Sequence, residues 1–261
     1  MLYNGRMKVI SLQSGSNGNC ICVEAGGVKL LFDAGISGRD VRERLAQHGR
    51  DVAAVDALLI SHDHVDHCGN MGVLNRMFGL PIYATAKTYQ AATRFNLGDI
   101  DDLRHFTSGE KLRFGKVTVE TVPTPHDAAD GIVFVVDDGR HRLGIFTDFG
   151  HVFDGLSDVV ASLDAVLLES NYDPDMLADG PYPYFLKERI TGPAGHISNF
   201  EAAELLLASA SKRMKWACLG HLSEKNNTPR LAMATNRKIV GDRLPLFMAS
   251  RYEASGVMEI G

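Results

Sequence analysis

The sequence predicts a mixed α/β protein in which two sheets carry outer helices, folded as a single domain over residues 1–261. Three observations predict it. Short apolar runs of strand character come first, strands then alternate with helix-spaced segments, and this order recurs in both halves of the chain. The composition, 45% apolar and 23% charged, is that of a soluble globular chain able to bury a large core. No long linker, low-complexity tract or fixed-period repeat interrupts it.

The elements follow in order. Lys8–Leu12, Cys20–Ala25 and Val28–Phe32 read as strands joined by Gly-rich turns, Gly15-Ser16-Asn17-Gly18 and Gly26-Gly27. Val41 to His48 has helical spacing, Ala57–Ile60 is a short buried strand, and Met71–Phe78 is helical. Thr85–Phe95 reads as one helix closed by Asn96 and Gly98. Strands are expected at Lys111–Phe114, Val117–Val122, Ile132–Val136 and Arg142–Phe146. A helix ending near Ser162 leads to the strand Ala165–Leu168. Asn199–Ser209 is a helix capped by Ser198 or Asn199 with Glu201 in its first turn. Trp216–Leu219 is a strand, Thr228–Val240 a helix with Pro229 in its first turn, and Leu246–Ala249 a last strand.

Charge narrows the function classes. The formal net charge is −5, without the basic surplus common in nucleic-acid binders. The distribution is uneven, however. Residues 201–261 hold nine Lys/Arg against six Asp/Glu, so the acidic surplus lies in residues 1–200. No apolar run approaches the roughly 18 residues of a membrane span, and no membrane partner is expected. Met1 to Ile10 has no apolar segment of leader length, so a cytoplasmic protein is expected. The four cysteines (Cys20, Cys22, Cys68 and Cys218) lack CxxC spacing and read as reduced packing residues. Protein partners are not legible.

The informative stretch is Ser61-His62-Asp63-His64-Val65-Asp66-His67-Cys68-Gly69, directly after the strand Ala57–Ile60. Imidazole and carboxylate donors suit Zn²⁺, Mn²⁺ or Fe²⁺. Four donors so close divide more naturally between two adjacent ions than crowd onto one. A solvated His-rich loop is the alternative. Three further histidines, His126, His196 and His221, sit in turn-like sequence just after predicted strands. His48 and His141 read as surface residues, and His105 and His151 as structural. Asp33 and Asp148 end strands beside Gly, which suits a site but also an ordinary turn.

HxHxDH after a strand resembles the signature of the metallo-β-lactamase superfamily. The series Asp33, His62-x-His64-x-Asp66-His67, His126, Asp148 and His221 matches it in order. The resemblance implies a four-layer αββα sandwich with two divalent metal ions, Zn²⁺ or Mn²⁺ with Fe²⁺ as a further candidate. By position His62, His64 and His126 would hold one ion, Asp66, His67 and His221 the other, and Asp148 would bridge them. Asp33 would fix the His loop by hydrogen bonds rather than bind metal. Cys68 lies one past the run and is not counted a ligand. Asp148, where true β-lactamases have Cys, argues against a lactamase.

Four segments narrow the branch: Ser14 to Cys20, Gly180 to Ile190, Gly195 to Asn199 and His221 to Pro229. They resemble the YycJ/WalJ-type exonuclease branch from about Met7 to Ala249, with Ile197 standing where Leu is expected. That branch implies a 5′→3′ DNA exonuclease, in some bacteria tied to mismatch repair. A weaker resemblance, to tRNA 3′-processing endonucleases, pairs Glu169 with His196: the Glu orients the His, which works on the scissile phosphate.

The expected mechanism is a two-metal phosphodiesterase with DNA as substrate. A metal-bridging hydroxide attacks phosphorus, and His196, oriented by Glu169, protonates the leaving 3′-oxygen. Asp66, His196 and Glu169 are the catalytic set. Lys187 and Arg189, beside Tyr182, Tyr184 and Phe185, are candidates for phosphate contact and base stacking. Ser14, Ser16 and Asn17 form a turn that can present amides to phosphate, and Asn226 is a further substrate candidate. The alternatives are a small-molecule hydrolase (cyclic phosphodiester or thiolester) on the same fold and a non-catalytic nucleic-acid-binding module.

Overall fold

The computed structural model describes residues 5–261, so the first four positions of the stretch read above for a leader lie outside the described residues. The strands are β1 (Met7–Gln13), β2 (Cys20–Ala25), β3 (Val28–Phe32), β4 (Ala57–Leu59), β5 (Ile82–Thr85), β6 (Leu103–Phe106), β7 (Lys111–Phe114), β8 (Val117–Pro123), β9 (Ile132–Asp137), β10 (Arg142–Phe146), β11 (Ala165–Glu169), β12 (Trp216–Gly220), β13 (Leu246–Met248) and β14 (Met258–Ile260). The helices are α1 (Gly38–Gln47), α2 (Val65–Cys68), α3 (Met71–Phe78), α4 (Ala86–Ala92), α5 (Leu156–Ala161), α6 (Pro174–Asp179), α7 (Tyr184–Thr191), α8 (Asn199–Ser209) and α9 (Pro229–Val240).

The chain divides into two compact units. The first comprises the residues up to Pro123 with Ala128–His141 and Ser250–Gly261; the second comprises Thr124–Asp127 and Arg142–Ala249. In the first unit β14-β1-β2-β3-β4-β5-β6 form a seven-stranded sheet. It is antiparallel from β14 to β3 and parallel from β3 to β6. The neighbouring parallel strands β3 and β4 are buried at Leu30, Leu31, Phe32, Leu58 and Leu59, whereas the edge strand β6 exposes Arg104 and His105. Leu31, Leu58 and Ile82 pack with Val41 and Leu45 of α1 and Met71 and Leu74 of α3. The same unit holds the antiparallel β7-β8-β9.

In the second unit β10 to β13 run parallel, in the order β13-β12-β11-β10. Helices α8 and α9 pack together there, and α9 contacts β13. Ser198 caps α8 by accepting from the Glu201 amide, and Glu201 reaches back in a capping box. Thr228 caps α9 with Pro229 at its first position.

Three expectations are corrected or completed. Thr85–Phe95 is not one helix: Thr85 ends β5, caps α4 by accepting from the Thr88 amide, and a 3-10 turn covers Thr93–Phe95. The stretch around Tyr184, assigned no element above, is the helix α7. The last predicted strand stops at Met248 and is followed by a further one, β14, paired with β1. All four cysteines are free and buried.

Candidate metal centre

In each unit several candidate residues emerge at the C-terminal ends of adjacent parallel strands, while His126 follows the antiparallel β8 and His196 the helix α7. Phe32 pairs with Leu59, so Asp33 leaves β3 beside the start of the His-rich loop after β4. Phe146 pairs with Leu168, and Glu169 with Gly220, so Asp148, Glu169 and His221 leave β10, β11 and β12 at one level. Strand carboxyl ends are where open α/β sheets concentrate function. Non-glycine residues with positive φ are Asp33 (65°), Asn96 (52°), Asp148 (65°) and His221 (51°) among the described residues. Three of these four are site candidates, so backbone strain collects where the chemistry is expected.

In the first unit Asp33 lies under the His loop. Its Oδ1 accepts the Ser61 amide at 2.8 Å, and its Oδ2 accepts the Ser61 hydroxyl at 2.9 Å and His67 Nδ1–H at 2.7 Å. The Ser61 oxygen in turn faces His62 Nδ1 at 2.9 Å. Both imidazoles are thus pinned through Nδ1, which leaves Nε2 as the lone-pair atom. The His62 ring meets those of His64 and His67, with centroids 4.7 and 4.1 Å away. His67 Nε2 lies 3.6 Å from Asp66 Oδ2. Asp63 turns elsewhere: it accepts the Ala129 amide at 2.8 Å and pairs with Arg94 at 2.6 Å. Burial would raise the Asp63 pKa, but these bonds and the Arg94 charge bring it below the usual carboxylate value. Burial pushes the Cys68 thiol up to about 12, against a thiolate ligand.

In the second unit Asp148, His196 and His221 each offer a ligand atom within 4.8 Å of the others. His126 Nε2 lies 3.7 Å and His221 Nε2 3.5 Å from Asp148 Oδ1. His126 is pinned through Nδ1 to the Gly195 carbonyl at 3.1 Å. Glu169 is fully buried and uses both oxygens. Oε2 accepts the Asp148 amide at 2.8 Å and the Phe149 amide at 3.3 Å, and Oε1 accepts His196 Nδ1–H at 2.6 Å. His221 Nδ1 stands 3.5 Å from the same Oε1, and Asn171 donates to the His221 carbonyl at 2.9 Å. Burial would lower the His196 pKa, but the Glu169 charge and hydrogen bond, with Asp148 adding, carry it above the usual histidine value. Burial would raise the Glu169 pKa, but His196 and His221 bring it down.

The donor set in each unit therefore fits divalent metal: imidazole Nε2 atoms oriented through Nδ1, and carboxylates, with no thiolate. The substrate candidates divide. Ser14 and Asn226 are buried, Ser14 with its amide on the Ser250 carbonyl and Asn226 with its side chain on Ser223. Ser16 and Asn17 are exposed and both are tied to Arg251. Lys187 donates to the Ala178 carbonyl at 2.5 Å, and Arg189 pairs with Asp127. Tyr182 and Leu186 pack against Tyr172, Leu177 and Ile190, whereas Tyr184 and Phe185 are 74% and 70% exposed. Sequence reasoning missed Asn19, whose amide stands 2.9 Å from His67 Nε2, along with Asp63 and Asn171.

Residues 29–217 match the model of a beta-lactamase superfamily domain. The chain is 38% identical over 229 residues to exodeoxyribonuclease WalJ of Streptococcus pneumoniae, covering 86% of this chain and 84% of that protein. It is 34% identical over 234 residues to exodeoxyribonuclease YycJ of Bacillus anthracis, covering 89% and 88%. Among solved structures it resembles the metallo-beta-lactamase fold protein YhfI from Bacillus subtilis, with a TM-score of 0.75 at 18% identity over 98% of this chain and 100% of that one. The last likeness shows the fold, two sheets flanked by helices.

Proposed function

The chain belongs to the beta-lactamase superfamily, in the branch of the WalJ and YycJ exodeoxyribonucleases, and from that premise we propose that it is a metal-dependent DNA exonuclease working 5′→3′ in DNA repair. The observation that carries the reading beyond membership is the Glu169–His196 pair, 2.6 Å apart and beside Asp148. A hydrolase of activated small esters has little use for a buried carboxylate that keeps an imidazole charged; expelling an alkoxide from a phosphodiester does.

In this reading His62, His64 and His126 hold one divalent ion, Asp66, His67 and His221 a second, and Asp148 both. Zn²⁺ and Mn²⁺ suit these donors, as does Fe²⁺. When bound, such ions supply an activated water nucleophile and offset charge on the phosphoryl oxygens. Asp33, through Ser61 and His67, keeps two imidazoles aimed with Nε2 outward. Glu169 holds His196 by Nδ1, so the proton on Nε2 is the one delivered to the leaving 3′-oxygen. Tyr184 and Phe185 offer exposed rings on which bases stack, with Arg189 of the same helix as a phosphate contact; Ser16 and Asn17 are separate candidates for phosphate contact. Residues 1–261 act as one catalytic domain, supported by ligand candidates occurring in both units. Buried free thiols suit a reducing, cytoplasmic setting.

The test is digestion of a 5′-phosphorylated, 3′-labelled DNA duplex with Mn²⁺, beside His64→Ala. Progressive shortening from the 5′ end, lost in the variant, is expected. A duplex left intact by metal-loaded protein would overturn the reading.

A further inference from the structure

We propose that Asn19 is a positioning residue of the metal centre: its locked amide holds the Asp66–His67 ligand pair and sets how tightly that pair takes a divalent ion. The inference rests on the reading above that Asp66 and His67 bind metal.

Asn19, just before β2, is 1% exposed. Its Oδ1 accepts the Gly15 amide at 2.9 Å, and its Nδ2 donates to the Gly15 carbonyl at 3.1 Å and the Asp66 carbonyl at 3.3 Å. These three backbone groups decide which end of the amide is which. Reversed, the NH₂ would face an N–H and the oxygen would face two carbonyls, each a buried mismatch. The NH₂ is therefore the end that stands 2.9 Å from His67 Nε2 and 3.4 Å from Asp66 Oδ2. His67 already gives its Nδ1 proton to Asp33, so its Nε2 is an acceptor.

The backbone prevents Asn19 from withdrawing. Its amide donates to the Asp66 carbonyl at 2.8 Å, and its carbonyl accepts the Gly35 amide at 2.9 Å. Gly35 is needed for that approach: a Cβ there would stand 1.7 Å from the Asp66 oxygen and 2.4 Å from Asn19 N. Two amide hydrogens thus face four acceptors: two carbonyls, Asp66 Oδ2 and His67 Nε2. A cation that takes the last two leaves two hydrogens for two carbonyls, so the amide keeps its place and, through the Asp66 carbonyl, holds the backbone that carries Asp66 and His67. An amide in this position is a donor and not itself a ligand. An aspartate would reverse that character, putting an oxygen against the ligand atoms.

The experiment titrates the full chain, stripped with a chelator, with Mn²⁺ by calorimetry, and melts it with and without the ion. Asn19→Ala is expected to weaken one ion by about 10- to 100-fold, the usual effect of removing a partner that orients a ligand. Asn19→Asp is expected to move the other way: a lower melting temperature without metal, and a larger rise with it than the wild type shows. A residue that merely braced the Gly15 turn would cost both variants stability and leave the isotherm alone. An Asn19→Ala isotherm superimposing on the wild type overturns the inference. If that variant does not fold, an Asn19→Asp melting rise equal to the wild type's does the same. A wild type that binds no ion overturns both this inference and the metal reading beneath it.

Discussion

Replacing Glu169 with glutamine tests the proton-transfer account with one atom changed. Both carboxylate oxygens are committed, Oε1 to His196 and Oε2 to the Asp148 and Phe149 amides. Glutamine has one oxygen, so its NH₂ must confront either His196 Nδ1 or two backbone amides. The site is fully buried, and leaving one donor unsatisfied costs about 1–3 kcal/mol of stability. If the NH₂ turns to His196, the imidazole takes the wrong tautomer and loses the charge that raises its pKa. The sign follows. A raised His196 pKa adds stability at pH values below the unfolded value, and this is lost as pH rises through the folded one. The protonated acid is likewise lost on that alkaline side, so in Glu169→Gln the decline in rate sets in at lower pH. Turnover of DNA should fall about 10²- to 10⁴-fold, the usual worth of a general acid. Hydrolysis of a bis-nitrophenyl phosphate, whose leaving group needs no proton, should fall far less. The assay is the pH–rate profile on both substrates. An equal loss on the two, or an unmoved alkaline limb, would refute the assignment of His196 as the acid.

Other consequences are direct. Gly35→Ala forces a methyl into the Asp66 carbonyl, and about 3 kcal/mol or more should be lost in denaturant unfolding, above ordinary overpacking because backbone must move. Asp33→Asn keeps the shape but weakens the grip on His67 and Ser61, so Mn²⁺ affinity should drop about 10- to 100-fold by calorimetry. Removing both rings in Tyr184→Ala/Phe185→Ala should raise KM for DNA, by about 1–3 kcal/mol per lost stack, and leave nitrophenyl ester hydrolysis unchanged; an unchanged KM would remove α7 from the DNA path.

Much of this was legible in the sequence because the chemistry is local. Four donor candidates fall within six positions of one loop, and Asp33, Asp148 and His221 each follow an apolar strand. The capped helices α8 and α9 announced themselves through Ser198, Glu201 and Pro229. What was hidden depends on contacts between residues far apart in the chain. Asn19 looks like one more polar residue of a Gly-rich turn, and only its approach to Asp66 and His67 gives it a role. Asp63 sits in the same run as the ligand candidates but belongs to Arg94 and Ala129. Helix α7 buries only Ile190 and begins after Pro183, so it lacks the apolar periodicity that reveals longer helices. Strand β14 has three residues and exists only by pairing with β1, at the other end of the sequence.

The most direct test of a metal-dependent nuclease is to strip the protein of metal, add Mn²⁺ back stepwise, and measure bound ion and DNA cleavage on the same samples. A two-metal nuclease should show no cleavage without metal, two ions bound per chain, and cleavage that rises as they bind. Cleavage undiminished in metal-free protein, or full metal loading with DNA left whole, would contradict that reading.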